Sequence, residues 1–257
     1  METVFTAYIF TLAAITGACI GSFVNVVAYR LPKGIFFADK YSHCPECRER
    51  LHARDLIPVL SWFLLGGRCR YCAAAIPRRY VIVEILCAVF AVCAVLRWGF
   101  VPYTAVVFCV IAVLVAIALI DRTAMMIPDT LNIALIPFAI AAVWLQCGGV
   151  TLFARAAGFF AVSLPMLLIA LMIRGAFGGG DIKLMAVMGF FLGWQGILLA
   201  FFIALLTGGS YAIYLMMSGR AKRGDRMAFG PYLCTGLTVS IFYGTQIIRL
   251  YLSLFMP

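Results

Sequence analysis

The sequence predicts an all-α polytopic membrane protein of about eight transmembrane helices, carrying a zinc-ribbon-like loop domain on its cytoplasmic side. Three observations predict it. Hydrophobic residues make up 65% of the 257-residue chain and charged residues 12%, against about 25% charged in an ordinary soluble domain. The apolar residues fall in blocks near the roughly 20 residues that a bilayer span requires. The cations are bunched: segment 28–79 holds ten of the twenty Lys and Arg residues, and 218–231 adds Arg220, Lys222, Arg223 and Arg226.

The spans follow in order. The first, near 4–27, is preceded by Met1-Glu-Thr with no basic stretch, so it reads as a retained membrane helix and not a cleaved signal. After the polar segment 28–79 come apolar runs near 80–98, 103–120, 131–147 and 153–173. The run 182–194 is short for a crossing and reads as a tilted or partial helix. Runs near 196–217 and 232–252 complete the set. Positive charge marks cytoplasmic loops, which places 28–79, 121–130, 174–181 and 218–231 inside and both termini outside. Arg97 and Arg155 stand alone in the outer connections. The net charge of +10 is therefore a topology signal and not a nucleic-acid footprint. The chain shows no internal repeat and no low-complexity linker.

Of the ten cysteines, Cys19, Cys87, Cys93, Cys109, Cys147 and Cys234 lie in apolar runs and read as small buried hydrophobes. The other four form Cys44-Pro-Glu-Cys47 and Cys69-Arg-Tyr-Cys72. Two C-x-x-C turns 21 residues apart present four thiolates to one tetrahedral ion. A reducing cytoplasmic loop disfavours disulfides. Four thiolates would complete a structural zinc shell and leave no open position for chemistry; a redox C-x-x-C is the alternative. His43 and His52 read as ordinary loop residues. A loop of this length with few large apolar residues builds little core, which gives the staple its physical purpose.

Two aspartates carry the chemistry. Asp121 ends the run that begins at Phe108. Asp181 closes Phe177-Gly-Gly-Gly-Asp181 at the start of another apolar run. A carboxylate at a bilayer edge is costly unless paired, wet or functional. By charge topology both face the cytoplasm. Pro128 breaks the chain between the third and fourth spans, and Asp129 is placed to N-cap the fourth. The structural alternatives are a solvated helix end beside Arg122 for Asp121, and a first-turn carboxylate favoured by the helix dipole for Asp181. Lys183 either balances a charge or faces lipid headgroups. Two neighbouring carboxylates share a proton, the arrangement that activates water against a peptide carbonyl. No G-x-S-x-G, H-E-x-x-H or Walker motif competes.

These motifs, in order, resemble the type IV prepilin peptidases, the leader peptidases of type IV pili and type II secretion pseudopilins. The resemblance runs from Gly17-Ala-Cys-Ile-Gly21-Ser-Phe-Val-Asn25-Val-Val-Ala-Tyr29-Arg30-Leu31-Pro32 through both C-x-x-C pairs. It continues through Ile57-Pro-Val-Leu-Ser-Trp62, Arg79-Tyr80-Val-Ile-Val-Glu84, Asp121 with Ile127-Pro128-Asp129, the glycine-rich Asp181 stretch and Phe229-Gly230-Pro231-Tyr232. It implies a bacterial inner-membrane enzyme. Residues 1–100 would be the zinc-bearing part associated with N-methylation by S-adenosylmethionine. Residues 101–257 would be an aspartic endopeptidase whose G-x-G-D element is similar to that of presenilin and signal peptide peptidase. It further implies Asp121 and Asp181 as the catalytic pair, a structural Asp129, and cleavage after a glycine that precedes a hydrophobic helix. The substrates would be prepilins or pseudopilins with a basic leader. Gly21, Asn25, Arg30 and Glu84 match family positions and become methylation candidates. For Gly21 the alternative is helix packing, and for Arg30 a positive-inside anchor. Competing readings are a peptidase without methylase activity, a preflagellin-type peptidase, an ion-coupled carrier with the two aspartates as ion sites, and a zinc-ribbon scaffold.

Overall fold

The computed structural model describes residues 2–35, 41–145, 149–173, 175–220 and 227–255. Cys147 and the cations Lys222, Arg223 and Arg226 lie outside them. Among the described residues there are helices and turns, two isolated β-bridges and no strand. The chain divides into two compact units, residues 1–104 and 105–257.

In the first unit, helix α1 (Glu2–Arg30) packs along α3 (Arg79–Trp98). Gly17 meets Ala88, Gly21 meets Glu84, and the Asn25 amide donates to the Tyr80 carbonyl at 3.1 Å. Rising numbers on one helix meet falling numbers on the other, so the pair is antiparallel. Gly17 and Gly21, one turn apart, let the backbones close on each other. The packing reading of Gly21 therefore holds. Between the helices lies a polar lobe with one short helix, α2 (Leu60–Leu64).

The second unit is built around α4 (Pro102–Ala124), in which Val107, Val110, Ile111, Leu114, Ile117 and Ile120 are buried. Its other helices are α5 (Asp129–Trp144), α6 (Leu152–Ala161), α7 (Ser163–Met172), α8 (Gly179–Met217) and α9 (Gly230–Phe255). α6 and α7 join through Val162 into one apolar stretch, Leu152–Met172. Among the described residues, six helical stretches are long and apolar enough to cross a membrane, and Asp129–Trp144 is a shorter apolar helix.

α8 is one helical stretch only by label. Gly193 has φ 78° and ψ 170°, a conformation that only glycine adopts without strain. A straight helix would hold residues 181 and 208 about 40 Å apart. Instead Phe177, just before α8, has its ring centroid 6.5 Å from that of Phe201 beyond Gly193, and 6.2 Å from that of Phe229, which lies against Gly208. The helix doubles back at Gly193, giving two limbs over the two runs expected at 182–194 and 196–217.

Arg155 explains how the reversal is held, and corrects its reading as an isolated outer-loop charge. It sits in α6, 2% exposed, and donates to the carbonyls of Phe191 at 2.8 Å and Phe190 at 3.3 Å. These are carbonyls at a helix end that would otherwise be buried without partners. Beside them Gly158 of α6 and Gly189 of α8 touch backbone to backbone, leaving no space for a Cβ on either.

Candidate active site and metal centre

Asp121 lies one turn before the end of α4. Met125, just past that end, has φ 50° and donates to the Asp121 carbonyl at 2.9 Å. The side chain is 6% exposed. Its Oδ2 accepts the backbone N–H of Gly230, the first residue of α9, at 2.8 Å. A Cβ at position 230 would come within 2.7 Å of that oxygen, so glycine is the residue that permits the approach. The carboxylate thus occupies the N-terminal end of α9, where free N–H groups and the helix dipole favour negative charge.

Asp181 sits in the first turn of α8. Its Oδ2 accepts from the Gly178 N–H at 3.2 Å, and its buried Oδ1 has no hydrogen-bond partner among the described residues. Gly180 fits flat against Ile127, and its carbonyl accepts from the Asn132 amide of α5 at 3.2 Å. Asn132 thereby fixes the glycine-rich turn from a neighbouring helix. Phe177 lies between Phe201 and Phe229, with tilted rings and centroids 6.5 and 6.2 Å away. That contact sets the turn carrying Asp181 beside Phe229, the neighbour of the Gly230 that holds Asp121.

Asp129 does not N-cap α5. Pro128 holds that position without a side-chain cap, and the Asp129 carboxylate reaches Lys183 instead, at 2.7 Å in an exposed ion pair. Being the first helical residue, Asp129 is past the position from which a side chain can fold back onto the N2 or N3 amide. Lys183 therefore balances Asp129. Asp121 does not end in solvent beside Arg122.

The cysteine cluster that could hold a metal lies wholly in the first unit. The Sγ atoms of Cys44, Cys47, Cys69 and Cys72 all fall within 4.8 Å of one another. The Cys44–Cys72 separation is 3.9 Å, close to the ~3.8 Å edge of a tetrahedron with Zn–S bonds of about 2.3 Å. The donor set and its spacing fit a tetrahedral ion. The two C-x-x-C turns share one local geometry. Arg48 donates to the Cys44 carbonyl and Ala73 to the Cys69 carbonyl, while Cys44 donates to Glu49 and Cys69 to Ala74. Arg48 and Ala73 both have φ 58°, and the bridges His43–Arg50 and Arg68–Ala75 close each turn. A short repeat offset by 25 residues is thus present in the backbone. The N–H groups of Tyr71 and Cys72 point at Cys69 and hold its thiol down, at about 7. Asp55 ties the lobe together, accepting from Arg70 at 2.7 Å, Tyr71 at 3.1 Å and the His52 N–H at 3.2 Å. Desolvation pushes its carboxyl up, but these three donors outweigh that and hold it below the ordinary carboxylate value.

A cavity of about 740 Å³ opens between this lobe and the ends of α1 and α3. Asn25, Arg30 and Glu84 all line it. Each has a structural bond as well. Asn25 donates to Tyr80, Arg30 to the Tyr41 carbonyl at 2.7 Å, and Glu84 Oε2 accepts the Val59 N–H at 2.7 Å. Asn25 Oδ1 is buried and unpartnered among the described residues.

Comparison with known proteins fits this arrangement. Residues 15–98 match the model of the bacterial peptidase A24 N-terminal domain, and residues 108–213 match that of the type IV leader peptidase family. The chain is 34% identical to the prepilin leader peptidase/N-methyltransferase of Bacillus subtilis, covering 93% of this chain and 96% of the relative. The chain belongs to the type IV leader peptidase family. Within that family it is also 32% identical to the prepilin leader peptidase/N-methyltransferase of Aeromonas salmonicida, over 95% of this chain and 94% of the relative. The type 4 prepilin-like proteins leader peptide-processing enzyme of Escherichia coli O78:H11 is 33% identical, over 90% and 93%. No solved structure matches the chain.

Sequence reasoning did not assign Gly230 or Asn132 a part in a leader-peptidase site. Asn132 had a signal, as an amide inside an apolar helix. Gly230 stood in the family element Phe229-Gly230-Pro231-Tyr232, but its part was not legible, because it is played by a backbone N–H 109 residues from Asp121.

Proposed function

We propose that this protein is a multi-pass inner-membrane aspartic endopeptidase that removes the leader from type IV prepilins or type II secretion pseudopilins, and N-methylates the new terminus. The observation that carries the peptidase reading is the pairing of Asp121 and Asp181. They come from different helices, are oriented by backbone N–H groups on one oxygen each, and are set side by side through the contact of Phe177 with Phe229. Among the described residues, Asp181 Oδ1 has no hydrogen-bond partner.

Two such carboxylates hold one proton between them. The ionised aspartate takes a proton from water as the oxygen attacks the scissile carbonyl, and the protonated one donates to the carbonyl oxygen. Collapse of the tetrahedral intermediate breaks the C–N bond, with a proton passing to the leaving amine. The pair faces the cytoplasm and both termini lie outside, by the distribution of Lys and Arg. A carrier reading would need carboxylates near mid-membrane, whereas these stand at helix ends.

The four cysteines hold a structural zinc. Residues 1–100 form the methylating part and 101–257 the peptidase. S-adenosylmethionine supplies an electrophilic methyl group when bound. The cavity beside Asn25, Arg30 and Glu84 suits it, offering a buried unpartnered amide oxygen, a guanidinium and a carboxylate. These side chains would bind and orient.

The test is cleavage of a prepilin with a basic leader by purified protein, read by mass spectrometry. Loss of the leader mass with wild type, but not with Asp121→Asn or Asp181→Asn, supports the pair. Cleavage by either variant at a rate near that of wild type overturns it. An added methyl mass with S-adenosylmethionine reports the second activity in the same spectrum.

A further inference from the structure

The polar lobe carries one feature that neither peptide cleavage nor metal binding uses. Leu56, Ile57, Leu60, Phe63 and Leu64 are all exposed, Phe63 at 61% and Leu64 at 75%. Leu60, Phe63 and Leu64, spaced by three and one, share one side of α2, and Leu56 and Ile57 lie in the turn that leads into it. From Leu56 to Gly67 there is no charged residue, and the next ones are Arg68, Arg70, Arg78 and Arg79, all exposed. A cluster of five large apolar side chains facing water is unusual on a soluble surface.

Its depth is fixed by one hydrogen bond to α3 and one to the segment just before it. The Val59 N–H donates to Glu84 Oε2 at 2.7 Å, and the Trp62 indole donates to the Ile76 carbonyl at 3.2 Å. Glu84 lies five residues beyond Arg79, where the apolar helix begins. Helical side chains lean toward the N-terminus, so the carboxylate, and Val59 with it, lies level with the first turn of α3. That turn is where a spanning helix passes through the headgroup region. Val59 itself is strained into place. It has φ 64° and ψ −55°, and Leu60 donates to the Pro58 carbonyl at 2.6 Å across it. This is the rare hand of the γ-turn, costly for a β-branched residue. Such strain persists where surrounding structure holds it, and the Glu84 carboxylate is the partner that does.

We infer that residues 57–64 form a wedge that enters the cytoplasmic leaflet, with Ile57, Leu60, Phe63 and Leu64 among the acyl chains and Arg68, Arg78 and Arg79 at anionic headgroups, while Leu56 faces the cavity. An apolar face rimmed by arginines at headgroup depth is the pattern of an interfacial segment. Glu84 acts as the positioning residue that sets the wedge's depth.

The experiment uses the full chain in lipid nanodiscs of phosphatidylethanolamine and phosphatidylglycerol. Trp98, Trp144 and Trp194 are replaced by Phe, leaving Trp62 as the baseline, and Leu64→Trp adds the reporter. Zinc content checks that the lobe is folded. Lipid brominated high on the acyl chain should quench the Leu64→Trp protein at least about twofold more than the baseline, while aqueous iodide should add nothing. Iodide quenching without bromolipid quenching would overturn the wedge in favour of an open aqueous surface. A reporter shielded from both quenchers would overturn it in favour of a protein-covered one. Adding Glu84→Gln, which keeps the acceptor oxygen but removes the charge, should leave the quenching in place. Glu84→Leu should lower it toward the baseline, and unchanged quenching there would remove Glu84 from the positioning role.

Discussion

The two units of this chain solve the same problem by opposite means. The lobe between α1 and α3 has little apolar core and is organised by four thiols within 4.8 Å and a carboxylate with three donors. The second unit has apolar residues in excess and is organised by where side chains are missing, at Gly158 against Gly189 and at Gly230 against Asp121. In water a small lobe lacks hydrophobic driving force and needs a staple. In lipid apolar surface drives nothing together, so helices associate through close backbone approach and polar bonds. Each unit should therefore fail by its own route.

The largest difference should appear on metal removal. Structural zinc supplies on the order of 10 kcal/mol to sites of this kind. Chelation, or Cys69→Ser, should make residues 41–77 protease-sensitive while the helices of 105–257 keep their circular dichroism. Simultaneous loss of both would erase the distinction. Next comes chemistry without stability. Asp121→Asn should reduce leader cleavage about 10³-fold, measured by mass spectrometry, with zinc content and detergent melting unchanged. Third is Gly189→Val, which forces a side chain into the Gly158 contact. Overpacking of this sort costs about 1–3 kcal/mol, read as a lower melting temperature with full zinc retention. Arg155→Met sharpens the same point. It strands the Phe190 and Phe191 carbonyls, at about 1–3 kcal/mol, and the loss should be confined to residues 105–257 in hydrogen exchange.

The smallest effect is a pH dependence. The Asp55 carboxyl is held below its ordinary value, so its contribution is full above the unfolded value near about 4 and fades as pH falls through the folded one. Zinc release on acidification acts on the same lobe, so the informative quantity is the difference between wild type and Asp55→Asn. The variant should melt about two degrees lower at neutral pH, with the gap closing below about pH 4. A gap independent of pH would assign Asp55 a packing role only.

How much of this was legible depended on whether a residue acts through its own composition or through a distant partner. The membrane class, the short run at 182–194 and the cysteine cluster follow from residue type and spacing alone. The aspartates stood out as charges at the ends of apolar runs. Arg155 misled because an isolated cation beside an apolar run reads as a loop anchor. Its partners are carbonyls, which have no signature in side-chain text. The twin cysteine turns went unseen as a repeat because the likeness lies in backbone bonds, while the side chains at matched positions differ, Arg48 against Ala73. The Asp129 to Lys183 pair joins residues 54 apart, and nothing local distinguished it from a cap.

The first limb of α8, from Gly179 to the residue before Gly193, has a consequence for the surrounding lipid. Its roughly 14 residues rise about 21 Å, whereas the hydrocarbon layer is about 30 Å thick. A rigid segment too short for its bilayer creates hydrophobic mismatch, which is relieved by local thinning. Arg155 fixes the lower end of that limb and Asp181 marks the upper. A shortfall of this size would draw headgroups and water toward the ends of the limb, one of which carries Asp181. A hydrolase in a membrane must import one of its two reactants, water, and a short helical limb would shorten that route.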